Sequence, residues 1–126
     1  MLIAEQIAVA KQECSYEHPS EVFHEHDDCV QLAYEWLDTQ DTIATTNRKG
    51  RPLKHIIERW AGRYVSQSDV ELAAHIHPRI TGKYPDFNLS ARLTLPSDSR
   101  LEGIREALTQ GYRENLNTEV YSKRED

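Results

Sequence analysis

The side chains best suited to bind a metal ion lie near the N-terminus. They are Cys14, His18, His24, His26 and Cys29. Zinc takes Cys and His ligands in a tetrahedral set, and this collection has enough donors for a closed site. The spacing matches no zinc-finger pattern, however, and Cys29 falls on the apolar face of a predicted helix, where a buried free thiol is the usual explanation. We therefore expect a polar loop over residues 15–26 and no bound metal.

Sequence motifs of common enzyme classes are absent. The chain contains no Gly-rich phosphate loop, no G-x-S-x-G element and no H-E-x-x-H helix. Glu25, Asp27 and Asp28 could hold a divalent ion for nuclease chemistry, but adjacent acids before a helix are more simply a cap that interacts favourably with the helix dipole. The sequence predicts a protein that is not an enzyme and uses no cofactor.

Charge is distributed unevenly along the chain. Residues 1–45 carry 1 Lys or Arg against 10 Asp or Glu, residues 46–93 carry 9 against 4, and residues 94–126 carry 5 against 7. The net charge of the whole chain is −6. A basic block within an acidic protein indicates an anionic partner for that block, and nucleic acid is the first candidate.

Length and composition favour a single domain located in the cytoplasm. The chain has 126 residues, 38% of them hydrophobic and 29% charged, enough for one core without disulfides or metals. Its longest apolar run, at residues 7–10, is too short to span a membrane. Glu5 stands where a signal peptide would carry a basic residue, so we expect a cytoplasmic protein without a membrane segment. Its two cysteines are then expected to be free thiols or metal ligands and not a disulfide.

Four segments show the apolar spacing of amphipathic helices. We predict helices over residues 2–12, 29–39, 52–64 and 68–77. The third has an unbroken apolar stripe, and its remaining positions, among them Glu58 and Arg63, are expected to face solvent. Ser68 and Glu71 are spaced as a capping box for the fourth helix.

The chain after Tyr84 is harder to interpret. Residues 87–95 alternate apolar and polar side chains as a strand does, yet a preceding Pro and a capping Asp86 also suit a helix, which we favour because the segment is short. A last helix is predicted from Ser99 to about Asn115, with a capping box of Ser99 and Glu102, and a short strand at residues 119–121.

The segment YVSQSDVELAAHI resembles helix-turn-helix and winged-helix DNA-binding domains, and the resemblance covers residues 52–95. It implies that 52–64 and 68–77 are the first two helices and that the recognition element follows Tyr84. The expected fold is a mainly α, single-domain helical bundle with a helix-turn-helix-like core and at most a small β-ribbon, or wing. Its parts are an acidic region (1–45), the basic core (46–95), and a C-terminal helix and tail (96–126).

Two groups of residues are candidates for contact with DNA. The loop NRKGRPLK resembles an AT-hook, which implies that Arg51 enters a minor groove while Arg48, Lys49 and Lys54 contact phosphates. Arg and Asn read base edges, and Lys and Ser commonly hold phosphate, so the polar residues near the predicted recognition element form the second group. That group is Arg79, Lys83, Asn88, Ser90 and Arg92. The alternatives are a solvated loop and an ordinary polar helix face.

The leading functional hypothesis is a small regulator that binds double-stranded DNA through residues 46–93. Palindromic operators match two-fold symmetry, so this hypothesis also admits a homodimer. The second hypothesis is a protein-binding module or inhibitor, of phage or mobile-element origin, whose acidic helix at 27–39 docks on a basic partner.

Overall fold

Four α-helices carry the core in the part of the chain that the computed structural model describes, residues 1–47 and 51–126. They are α1 (Ala4–Glu13), α2 (Asp27–Thr39), α3 (Leu53–Ala61) and α4 (Gln67–Ile76). Two pairs of two-residue strands and several short 3₁₀ helices, the first at Pro19–Glu21, complete the regular structure of these residues. The mainly α fold predicted from the sequence is therefore confirmed. None of the helices in the described ranges has the length and apolar character needed to cross a membrane.

The buried face of α2 is the one that the sequence predicted. Cys29, Leu32, Ala33, Trp36 and Leu37 are all fully buried. The helix begins after His26, whose Nδ1 accepts a hydrogen bond of 2.9 Å from the Asp28 backbone N–H. This side-chain cap satisfies one of the free N–H groups of the first turn, a role that the sequence assigned to Asp27 or Asp28.

Helices α3 and α4 are joined by residues 62–66. Gly62 ends α3 in the left-handed conformation (φ +67°), and a Cβ atom there would lie 2.9 Å from Leu108. Ser66 then caps α4 in a reciprocal capping box with Asp69. The box predicted at Ser68 and Glu71 is wrong by two positions, because those side chains instead bind the backbone N–H groups of residues 23 and 17.

Helix α4 lies inside the bundle. It packs against α2 and α1, and Val70, Leu72 and Ala73 are fully buried. Small side chains at this contact allow the helix backbones to approach closely. The helix therefore belongs to the core along most of its length.

The preference for a helix at residues 87–95 is wrong, and the strand-like alternation describes this segment better. β1 (Gly82–Lys83) pairs antiparallel with β2 (Asp86–Phe87), and Leu89 forms an isolated bridge with Thr42. β3 (Thr94–Leu95) then pairs parallel with β4 (Lys123–Arg124). These long-range pairings hold the backbone extended, so the recognition helix implied by the resemblance is not formed here.

The long helix predicted from Ser99 is also wrong. The chain forms three 3₁₀ helices instead, at Asp98–Leu101, Gly111–Asn115 and Thr118–Val120, the last where a strand was expected. Leu101 and Ile104 are buried as predicted, but Leu108 is 53% exposed and has φ +62°. The backbone N–H groups of Leu108 and Gln110 donate to the Ala61 and Gly62 carbonyls at 2.9 Å each. This segment caps the C-terminus of α3 and cannot continue as a helix.

Candidate nucleic-acid interface

The basic loop between α2 and α3 is anchored at both ends to the extended segment 87–91. The Asn47 backbone N–H donates to the Phe87 carbonyl at 3.0 Å, and its side-chain amide donates to the Leu89 carbonyl at 3.3 Å. At the other end, Arg51 Nη2 donates to the Ala91 carbonyl at 2.8 Å. Arg48 and Lys49, two of the predicted phosphate contacts, lie outside the described residues and between these two anchors in sequence.

A glycine in β1 lets the chain just before this loop approach the β1–β2 hairpin. Gly82 has φ +95°, and a Cβ atom there would lie 2.6 Å from Thr46 Cγ2 and 2.7 Å from the Asp86 carbonyl oxygen. No other residue type fits both this conformation and this contact without movement. The position of the loop therefore depends on the hairpin.

Anchoring brings three predicted DNA contacts into one region. Ser90 and Arg92 flank Ala91, the residue whose carbonyl binds Arg51, and the Ser90 hydroxyl accepts the Arg92 backbone N–H at 3.1 Å. Within residues 1–47 and 51–126, no ion pair joins Arg51 or Arg92 to a carboxylate. We call residues 47–51 together with 90–92 the basic edge.

Two other predicted DNA contacts, Lys54 to phosphate and Arg79 to base edges, are paired with carboxylates of the same chain. Lys54 Nζ lies 3.0 Å from Glu58 Oε2 and 4.5 Å from the centre of the Tyr64 ring. Arg79 Nη2 lies 3.2 Å from Asp38 Oδ1. Contact with phosphate would have to compete with these interactions, so neither residue is assigned to the basic edge.

Asn88 and Lys83 are placed differently from the prediction. Asn88 is 6% exposed, and its amide accepts the Thr81 N–H at 2.8 Å and donates to the Arg79 carbonyl at 2.9 Å. It holds the hairpin together and does not offer its amide to a base. Lys83 is exposed, but it lines a cavity that it shares with several carboxylates. The predicted DNA contacts therefore do not form one surface.

Two charged residues that were expected to face solvent, one in α3 and one in the turn after it, are buried. Glu58 is 2% exposed and Arg63 is 4% exposed, although both were expected to face solvent. Arg63 lies 2.9 Å from Glu106 and 3.2 Å from Glu25, and it donates to the Tyr64 carbonyl at 3.1 Å. Glu25 and Glu106 lie 38 and 43 residues away along the chain, so helical periodicity could not have identified these partners of Arg63.

The acidic side of α2, the surface of the second hypothesis, is engaged within the molecule. Glu35 and Asp38 each lie 3.0 Å from Arg100, and Asp38 also lies 2.7 Å from His77 Nε2. Burial acts to raise the pKa of Asp38, but the hydrogen bonds from His77 and Arg100 prevail and hold it below its ordinary value. These carboxylates stabilise the fold and are not free for a basic partner.

A hydrogen-bonded series of Tyr16, His24 and Asp69 was not predicted. Tyr16 Oη lies 2.8 Å from His24 Nε2, and His24 Nδ1 lies 2.7 Å from the fully buried carboxylate of Asp69. The order hydroxyl, imidazole, carboxylate is that of an activated nucleophile. Burial and the nearby Cys14 raise the pKa of Tyr16 to about 12, and burial raises the pKa of Cys14 to about 11. Both groups stay protonated at neutral pH, and the series fixes the 15–26 loop to α4.

His24 is thus bound to Asp69, although the sequence suggested it as a zinc ligand. In the described part of the chain, no three His, Cys, Asp or Glu side chains are grouped so that they could hold a metal ion. Cys14 and Cys29 are free thiols.

No protein-family model, curated protein or solved structure matches this chain. Any functional conclusion therefore depends on the geometry and charge of the residues described above.

Proposed function

We propose that this protein is a small regulator that binds duplex DNA through the basic edge. The observation that carries the proposal is the double anchoring of the basic loop. Hydrogen bonds from Asn47 and Arg51 to residues 87–91 bring Ser90 and Arg92 beside a loop that contains Arg48 and Lys49. A loop tied at both ends loses less conformational entropy on binding than a free one.

In this proposal the Arg51 N–H groups that do not bind the Ala91 carbonyl enter a minor groove, and Arg48, Lys49 and Arg92 contact the flanking phosphates. A narrow minor groove concentrates negative potential, so A·T-rich duplexes are expected to bind more tightly than G·C-rich ones. The acidic remainder of the chain would repel phosphate, so the protein would dock with the basic edge facing the DNA.

The proposal does not need a helix-turn-helix. The recognition element that the resemblance implies after Tyr84 is not a helix, because residues 86–87 form β2 and Leu89 bridges to Thr42. The resemblance in sequence then reflects the capped helix pair α3 and α4, and DNA contact is assigned to loops. Only Arg48, Lys49, Arg51, Ser90 and Arg92 are retained from the predicted contacts.

Fluorescence anisotropy with a labelled duplex of about 20 base pairs at low salt tests the proposal. The variant Arg48→Ala/Lys49→Ala/Arg51→Ala removes three positive charges from the basic edge. Arg59→Ala/Arg105→Ala/Arg124→Ala is the matched control, because these arginines are exposed and lie elsewhere in the sequence. We expect the first variant to bind roughly tenfold more weakly and the control to change affinity by about twofold at most.

Equal losses for the two variants would mean that only net charge matters and would contradict the proposal. Absence of duplex binding by the unmodified chain at low salt would also contradict it. A·T-rich and G·C-rich duplexes, compared at the same salt concentration, test the assignment of Arg51 to the minor groove.

A further inference from the structure

Two adjoining depressions lie along the seam between α1 and α4, and together they are called the trough. The first has a volume of about 510 Å³ and includes Val9, Ala10 and Ile76 in its lining. The second has a volume of about 320 Å³ and extends past Cys14 to Tyr84 in the β1–β2 hairpin. Glu13 and His75 line both, so the two depressions adjoin at these residues. The trough has the dimensions of a ligand site, although it is open to solvent.

The floor of the trough at α1 is apolar and exposed. Ile3 is 57% exposed and Val9 is 48% exposed, whereas Ala10 beside them is buried. Ile76 of α4 is half-buried on the opposite wall. Exposed apolar side chains that share one concave surface mark an interaction site more often than isolated ones do.

The rim of the trough is strongly acidic. Glu5, Glu13, Glu17 and Glu71 line it, against Lys83 and His75. His75 lies 4.0 Å from Glu13, and Glu71 accepts the Glu17 backbone N–H at 2.7 Å, so Glu5 is the rim carboxylate with no partner among the described residues. Lys11, the basic residue of α1, lies 3.6 Å from Asp27 of α2 and is absent from this lining. An occupant that places basic groups on the rim is therefore favoured.

We propose that the trough binds a short amphipathic segment of a partner protein, with apolar side chains on the α1–α4 floor and Lys or Arg side chains on the glutamates. An amphipathic helix presents its anchors at i, i+3 or i+4, and i+7, which suits a groove alongside a helix of ten residues. This activity is separate from DNA binding, because a rim of carboxylates repels phosphate.

A second copy of the chain fits the trough poorly. Symmetric pairing of two α1 helices would bring Glu5 and Glu13 of each copy near those of the other, and like charges oppose such contact. The basic loop of another copy has the right charge, but the first apolar residue after it, Leu53, is buried and cannot fill the floor.

Selection of a random displayed peptide library on the full chain, followed by anisotropy of the selected peptides, tests this proposal. We expect peptides with spaced apolar residues and flanking Lys or Arg. Val9→Asp should weaken their binding by about tenfold, whereas Val22→Asp, at another exposed valine, should change it by about twofold at most.

A second experiment reverses the charge of glutamates that line the trough. Glu5→Lys/Glu13→Lys should abolish binding of the basic peptides, and Glu21→Lys/Glu114→Lys, at exposed glutamates outside the trough, should not. Peptides without basic residues, no enrichment at all, or binding insensitive to Val9→Asp would overturn the proposal. The proposal would also be overturned if sedimentation found a homodimer that dissociates in the Val9→Asp variant, because the occupant would then be a second copy.

Affinity for duplex DNA should be the same in Val9→Asp and the unmodified chain, which separates this test from that of the basic edge.

Discussion

Arg63 and Arg51 belong to the same basic block, yet the structure uses them in opposite ways. Arg63 is buried and bound by two carboxylates and a carbonyl. Burial acts to lower its pKa, but the hydrogen bonds with Glu25 and Glu106 prevail and hold the pKa above its ordinary value. Arg51 holds one carbonyl and, within the described residues, has no carboxylate partner. A basic residue bound by distant acids stabilises the fold, and one without them can meet an external anion.

Arg100 and Arg92 repeat this contrast. Arg100 lies 2.6 Å from Glu125 and 3.0 Å from both Glu35 and Asp38, so it joins the tail to α2. Arg92 is exposed in a loop beside Arg51. Charge summed along the sequence treats these residues alike, and only the tertiary contacts separate the two classes.

The largest effect should follow from removing the buried arginine. Arg63→Ala is expected to lower the free energy of unfolding by about 3 kcal/mol, because Glu25 and Glu106 lose their cation and the Tyr64 carbonyl loses a donor. Arg51→Ala is the matched control and should cost about 0.5 kcal/mol or less. Urea unfolding followed by circular dichroism measures both. Similar losses in the free energy of unfolding for the two variants would show that Arg63 and Arg51 do not differ in their contribution to stability.

A second buried charge, Asp69, extends the comparison to the loop at 15–26. Asp69→Ala should cost about 2 kcal/mol, because it removes the carboxylate that accepts the Ser66 backbone N–H in the capping box of α4 and that also holds His24. His24→Ala leaves the capping box intact and should cost less. If both variants were equally destabilised in urea, the cap would contribute nothing and the argument for Asp69 would be wrong.

Gly82 connects the hairpin to the basic edge. Gly82→Ala should cost about 1 to 2 kcal/mol, since the new Cβ meets Thr46 and the backbone has a positive φ. It should also weaken duplex binding, because Thr46 precedes the anchored loop. Gly111→Ala is the control, since a Cβ there meets no atom within 4 Å. Unchanged DNA affinity in folded Gly82→Ala would show that the hairpin does not position the loop.

The pH dependence of stability should report the Arg100 cluster. Hydrogen bonds from Arg100 hold the pKa of Glu125 below its ordinary value. The stabilisation is therefore complete above the ordinary glutamate pKa of about 4.3 and is lost as pH falls through the lower value in the folded state. Glu125→Gln should have a lower Tm than the unmodified chain at pH 7, and the difference should shrink towards pH 3. A difference that stays constant across this range would exclude the ion pair as its cause.

Helical periodicity predicted the parts of this fold that depend on local sequence. The apolar stripe of α3 is buried at Ile56, Ile57 and Trp60, and Gly62 ends that helix as expected. Residues 87–95 and 99–115 could not be predicted in this way, because their conformations depend on pairing with residues 42, 61, 62 and 123.

The same limit applied to the candidate site. The sequence singled out Arg51, Ser90 and Arg92, and the hydrogen bond from Arg51 to the Ala91 carbonyl brings them together. The sequence also singled out Asn88, but its side-chain amide makes two hydrogen bonds within the hairpin region and is not available to a base. Residue type identifies groups that can bind DNA, but long-range contacts decide which of them remain available.

The smallest expected effect concerns one exposed charge at the basic edge. Arg92→Ala should leave the free energy of unfolding unchanged within about 0.5 kcal/mol, since no side-chain contact of Arg92 appears within the described residues. It should reduce the slope of log affinity against log salt by about one, the amount for one lost phosphate contact. Arg79→Ala should change that slope less than Arg92→Ala does, because Arg79 is paired with Asp38 at 3.2 Å. If both variants changed the slope equally, internal pairing would not decide which arginines meet DNA, and the contrast between Arg63 and Arg51 would apply to stability alone.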